Sequence, residues 1–215
     1  MIEFEVINLD KRTDRWRDIN LEFSSFKLNR FSAIEHKDGW RGCSLSHISI
    51  VEESKKNNKD YVIVLEDDTI ILDKSIFNNE FNKILNYLES NLDKWDIFNM
   101  CCTYSNEGNN HTVKIENNDL NIISFQFGKT ANFIIYNKSS FDKIISLKEN
   151  ILNIKSEEGD DTIDVMIGKL GFKILTRIPF MCIQKKGYSD LVDREVDYLI
   201  PYQQNEKYLN KKLLK

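Results

Sequence analysis

The sequence predicts a single α/β domain in which helices flank a mixed β-sheet, and three observations carry that prediction. The first third alternates short apolar strands with amphipathic helices over short links, the pattern of a right-handed parallel unit. The stretch YVIVLEDDTIIL, from Tyr61 to Leu72, opens on an unbroken apolar run of the kind found in strands covered on both faces. At 215 residues, 41% hydrophobic and 30% charged, the chain is long enough for one substantial core and too short for two ordinary domains.

Residues 3–8 (EFEVIN) form the first strand, and DKRTDRWRDINLEF follows as a helix with Trp16, Ile19 and Phe23 on one face. A second strand near Phe26 to Ala33 leads into the loop IEHKDGWRG. A helix then runs from Cys43 to about Asn57 with Gly42 or Ser44 as N-cap. The strand Tyr61 to Leu65 comes next. SIFNNEFNKILNYLESNL is an amphipathic helix and KWDIFNM a buried strand, while the polar, Asn-rich residues 103–121 form a loop or hairpin. TANFIIYN is a strand, followed by a helix over Lys138 to Leu147. DDTIDVMIGKLG is a helix that opens on acids and stops at Gly171. FKILTRIPFMCIQ reads as one more strand, and the tail after Gly187 as irregular or helical.

A net charge of −4 and a pI near 5.5 disfavour a nucleic-acid partner, and KYLNKKLLK at the end reads as a frayed, solvated helix. The four cysteines show no paired metal spacing, and the vicinal Cys101 and Cys102 argue for reduced, packed thiols. No apolar run has the length of a bilayer span, and MIEFEVINLD lacks a basic segment followed by an apolar one. The expected location is the cytoplasm, with peripheral attachment to a membrane surface through partners as an extension.

The chemistry concentrates at Glu66, Asp67 and Asp68. One reading makes them a solvated turn after the strand. The other places them at the carboxyl edge of the sheet, where α/β proteins bind ligands, and has a divalent cation between them relieve their repulsion. Hard oxygens suit Mg²⁺ or Mn²⁺ shared with a diphosphate. No glycine-rich phosphate loop is present. His47 shares a helical arc with Cys43, Ile50 and Val51 and faces core or cleft. It is either a satisfied core histidine or, in a first helical turn, part of an anion site. Arg12 and Arg15 follow the first strand, where cations sit poorly in a first turn unless an anion offsets them. Asp160, Asp161 and Asp164 open a helix, either as helix-start acids or at a cleft edge.

The stretches VINLDKRTDRW, FSAI, GCSLSHISI and VIVLEDD, with the later WDIFNM, TANFIIYNKSSFDKII, IPFMCIQ and GYSDL, resemble family 25 glycosyltransferases, which include lipooligosaccharide and procollagen galactosyltransferases. The resemblance spans nearly the whole chain. It implies a GT-A type, Rossmann-like fold, a UDP-sugar donor, a divalent metal and inversion at the anomeric carbon. It also implies that Asp68 and Glu66 ligate the metal, with Glu66 or Asp67 reaching the ribose or a metal-bound water. Asn8, Leu9, Arg12, Arg15, Ala33 and His47 would then contact the donor, and Asp161 or Asp160 would be the base, ahead of Asp164 and Asp190. Residues 1–100 would form the nucleotide-sugar half, 101–190 the acceptor half and 191–215 a tail. The Asn-rich segment is short and the family's usual proline ahead of the acidic helix is missing, which leaves the acceptor open among glycans, lipooligosaccharide and collagen-like protein.

The expected activity is transfer of galactose, with glucose next, from a UDP-sugar. A metal-dependent nucleotidyltransferase or phosphohydrolase is the competing enzyme class. A non-catalytic carbohydrate-binding module of the same fold is the third reading.

Overall fold

The computed structural model describes residues 2–105, 112–154, 162–190 and 194–214. In chain order the elements are β1 (Glu3–Asn8), α1 (Thr13–Glu22), β2 (Lys27–Ser32), α2 (Gly39–Lys56), β3 (Tyr61–Glu66), β4 (Thr69–Ile71), α3 (Lys74–Glu89) and β5 (Ile97–Asn99). There follow β6 (Lys114–Asn117), β7 (Ile122–Phe125), β8 (Phe133–Asn137), α4 (Lys138–Asn153), α5 (Ile163–Lys169), β9 (Ile174–Arg177) and β10 (Cys182–Gln184). The chain closes with β11 (Gly187–Ser189), β12 (Arg194–Val196) and α6 (Leu199–Leu213).

Eight strands form one sheet in the order β2-β1-β3-β8-β5-β9-β7-β6. β2, β1 and β3 are parallel, as the alternating first third predicts, and β8 then inserts antiparallel beside β3, making the sheet mixed. Successive side chains of β3 enter opposite cores, as the two-residue period of a strand demands. Val62 and Val64 pack with Ile48, Val51 and Ile144 from α2 and α4. Ile63 and Leu65 pack with Phe23 and with Phe77 and Phe81 of α3. On that second face Phe4 stacks on Phe81 at 5.7 Å between ring centres, and Phe81 on Phe77 at 4.8 Å. A strand covered on both sides leaves its polar continuation, Glu66 to Asp68, only the carboxyl edge.

Several boundaries differ from the sequence reading: α4 runs on to Asn153 rather than Leu147, β4 and β7 are strands it did not assign, and α5 begins at Ile163 after Thr162. α2 starts at Gly39 after Asp38, four residues before the expected Cys43. Glycine at 42 resembles a helix start, but it lies inside the helix because a Cβ there would stand 2.2 Å from the Ile34 carbonyl oxygen. Its absence lets α2 press against the 33–36 segment. Arg41 in the same turn is buried and donates to the carbonyls of Ile151 at 2.7 Å and Leu152 at 3.1 Å, closing the end of α4. FKILTRIPFMCIQ is two strands in different sheets: β9 joins the main sheet and β10 pairs with β4, the chain turning through Pro179, which has no N–H for a ladder. The expected tail contains the β11–β12 hairpin and α6, which buries Tyr202, Asn205 and Leu209 against the body. α5 does stop as predicted, with Gly171 in the left-handed region at φ +67°.

Candidate active site

β1, β3 and the 33–39 segment meet at the carboxyl edge of the parallel strands, and β11 faces them across a cleft of about 500 Å³. Its walls include Leu9, Lys11, Arg15, Ala33, Glu66, Asp67, Asp68 and Asp190. Asn8, at the end of β1, is buried; its amide donates to Asp67 Oδ2 at 2.6 Å, and its side-chain oxygen accepts from Arg30 at 2.8 Å. Arg15, projecting from α1, donates to Asp67 at 2.8 Å and to Asp68 at 3.2 Å, and its other arm donates to the Tyr188 carbonyl. Arg12 pairs with Asp14 and with Asp190. The expected cluster of Asn8, Arg12, Arg15 and the acids is therefore assembled, with the arginines on carboxylates.

The electrostatics explain that pairing. Burial, reinforced by Glu66 and only partly offset by Arg15, pushes Asp68 up to about 7. Burial also raises Asp67, against the pull of Arg15. Burial works against the charge of Arg15, yet Asp68 and Asp67 hold its pKa above the usual arginine value. Asp68 Oδ2 accepts from Gln184 at 3.0 Å, while its buried Oδ1 has no hydrogen-bond partner. An ionised carboxylate buried with an orphaned oxygen costs free energy unless a cation or donor reaches it. That unpartnered oxygen is of the hard type that suits a divalent cation of the Mg²⁺ or Mn²⁺ kind, although among the described residues the oxygens of Glu66, Asp67 and Asp68 do not converge within 4.8 Å of one another, and both Asp67 oxygens are held by Asn8 and Arg15.

His47 requires a correction. Because α2 begins at Gly39, His47 is in the third turn, where backbone N–H groups are already paired, so the helix-start anion site assumed for it does not exist. It is completely buried, with Nδ1 3.0 Å from the Tyr136 hydroxyl and Nε2 3.6 Å from Glu66 Oε1. Cys43 donates its S–H to the same Glu66 oxygen at 3.3 Å. Asp160 and Asp161 lie outside the described residues. Asp164 is described: it accepts from the Thr130 N–H at 2.6 Å and from the Thr162 hydroxyl, and lines a second cavity of about 250 Å³ that also touches Cys43, Glu66 and Ser189. The two cavities thus meet at Glu66. Gln184, Lys11 and the β11 residues lie in the quoted stretches IPFMCIQ, VINLDKRTDRW and GYSDL, but the sequence reading gave none of them a site role, since what brings them to the acids is tertiary contact.

A central strand that delivers carboxylates to a cleft at the carboxyl edge of the parallel strands, in this mixed sheet, is the architecture of a GT-A type glycosyltransferase. The sequence profile of glycosyltransferase family 25 (LPS biosynthesis protein) matches residues 37–155, more than half of the chain, and the chain belongs to that family. No curated protein matches it. Among solved structures, a glycosyltransferase involved in the glycosylation of the major capsid of PBCV-1 aligns with a TM-score of 0.58 at 7% identity, covering 97% of this chain and 98% of that one. The glycosyltransferase GlyE of Streptococcus pneumoniae TIGR4 aligns with a TM-score of 0.45 at 10% identity, covering 96% of this chain and 56% of that one. Among the described residues no helix is long and apolar enough to cross a membrane.

Proposed function

We propose that the chain is an inverting, metal-dependent hexosyltransferase that moves galactose, with glucose next, from a UDP-sugar to a hydroxyl of a glycan, lipooligosaccharide or collagen-like protein acceptor. The observation that carries this reading is Asp68: half-buried, raised to about 7 and left with a buried, unpartnered oxygen beside two more carboxylates. Asp68 and Glu66 would hold Mn²⁺ or Mg²⁺, and the bound cation would offset the charge of the departing diphosphate.

The chain's own groups supply the rest. Asn8 and Arg15 fix Asp67, which keeps the acid triplet in one orientation. Arg12, Arg15 and Lys11 bring positive charge to the cleft, and a diphosphate would replace the carboxylates the two arginines now hold. Leu9 and Ala33 form apolar wall for the nucleoside. His47 acts on the donor only through Glu66, since it is enclosed in the core.

Displacement from the opposite face of the sugar needs a carboxylate that takes the acceptor's hydroxyl proton. Asp164 has both oxygens committed to Thr130 and Thr162, and Asp190 is paired with Arg12. As the family resemblance implies, we propose Asp161 or Asp160 as the base, ahead of Asp164 and Asp190. In this division residues 1–100 bind the nucleotide sugar, 101–190 face the acceptor and 191–215 form the tail. Calorimetry of UDP binding tests the donor assignment: binding in Mn²⁺ that disappears with chelator and in Asp68→Ala supports it, and equal affinity in all three refutes it.

A further inference from the structure

Apart from Asp68, three side chains of different chemistry converge on one point. Cys43 and His47, one turn apart on α2, face Glu66 at the end of β3. Cys43 Sγ lies 3.3 Å and His47 Nε2 3.6 Å from the same Glu66 oxygen, and the three ligand atoms all fall within 4.8 Å of one another. Zinc bonds of about 2.3 Å to sulfur and about 2.0–2.2 Å to nitrogen or oxygen, at tetrahedral angles, separate ligand atoms by about 3.3–3.6 Å. Each of the two carboxylate distances therefore lies within about 0.3 Å of a tetrahedral edge. Independently, His47 Nε2 is fully buried without a hydrogen-bond partner. The ring's other nitrogen is held by the Tyr136 hydroxyl at 3.0 Å, the kind of outer contact that orients a ligating imidazole. Cys43 and Glu66 line both cavities, which gives an ion a way in and an open fourth position.

We propose that Cys43, His47 and Glu66 form a binding site for a thiophilic divalent cation of the zinc type, distinct from the hard-oxygen site at Asp68 and sharing Glu66 with it. Sulfur and imidazole select zinc-like ions over Mg²⁺ and Mn²⁺. In the free protein the thiol is neutral and donates to Glu66. Loading breaks the S–H bond, sends that proton to solvent through the cleft and forms a metal–sulfur bond, with no change of oxidation state. The imidazole then carries its proton on Nδ1, donated to Tyr136, and Nε2 faces the ion. Resting on the proposed transfer activity, one consequence follows: an ion held here ties up Glu66 where the two cavities meet and inhibits transfer.

Cobalt(II) titration of the full-length, reduced protein tests the site. The expected result is a sulfur-to-cobalt charge-transfer band that saturates at one ion per chain, is removed by Zn²⁺ and is unaffected by excess Mg²⁺. Cys43→Ser should abolish the band and His47→Gln should weaken cobalt binding at least tenfold. Asp68→Ala should leave the band in place, so a failure of the donor reading does not touch this result. No band in the unsubstituted protein, or a band that survives in Cys43→Ser by way of Cys101, Cys102 or Cys182, overturns the proposal. Mass mapping of thiol alkylation needs no substitution: zinc should slow labelling of Cys43 at least tenfold, and equal labelling with and without zinc overturns the proposal.

Discussion

At Asp68 the folded protein keeps a proton that the unfolded chain has already lost, since the side chain is raised from 3.8 to about 7. Stability contributed here therefore falls as pH rises from about 4 to about 7 and is flat beyond. Asp68→Asn removes that penalty. Thermal unfolding at pH 8 should show the variant melting at least a few degrees above the unsubstituted protein, with the advantage gone near pH 4; a variant less stable at pH 8 contradicts the assignment. Mn²⁺ should raise the melting temperature of the unsubstituted protein and leave the variant unchanged. Arg12→Ala should weaken UDP binding about tenfold, the worth of one charge-assisted contact; unchanged affinity by calorimetry makes Arg12 a structural partner of Asp190. The acids were legible because three adjacent carboxylates interrupt a run built for burial. Gln184 was not, because it reaches Asp68 from 116 positions along the chain.

At the scale of elements, α2 shows where local signals mislead. Its glycine has the propensity of a helix boundary, yet its place is set by the Ile34 carbonyl 2.2 Å from the Cβ that glycine lacks. Gly42→Ala should gain helix propensity and still destabilise the fold by about 1–3 kcal/mol, the usual cost of overpacking, measured by urea unfolding. A more stable variant would mean that α2 can shift away from the cleft wall freely. The same blindness to tertiary contact joined β9 to β10 in the sequence reading: both are apolar, and nothing local says that one belongs to the main sheet and the other to β4. The alternating β1, α1, β2, α2, β3 unit was legible because its periodicity and its burial agree.

For the whole molecule, two cores separated by one sheet hold the cleft at the carboxyl edge. Phe4, Phe77 and Phe81 contribute nothing to the cleft lining, so Phe81→Ala should cost about 3–5 kcal/mol in urea unfolding and leave UDP affinity unchanged under conditions where the protein stays folded. The fold class was readable from the sequence because the alternating strands and helices and the unbroken apolar run of β3 mark an α/β sheet, which the resemblance narrowed to the GT-A type; the second cavity was not, because it is assembled from α2, β10, β11 and the segments around Thr130 and Thr162. At the true base, Asp161→Asn or Asp160→Asn should keep UDP binding near normal and cut transfer about a hundredfold or more; near-normal rates in both place the base elsewhere. The central claim is that the carboxylate cluster organises a UDP-sugar around a divalent cation. Product analysis after incubation with UDP-galactose or UDP-glucose and Mn²⁺ tests it most directly: the account predicts UDP as the nucleotide product, lost on chelation and in Asp68→Ala, whereas UMP with sugar phosphate, or UDP release that Asp68→Ala leaves intact, would contradict it.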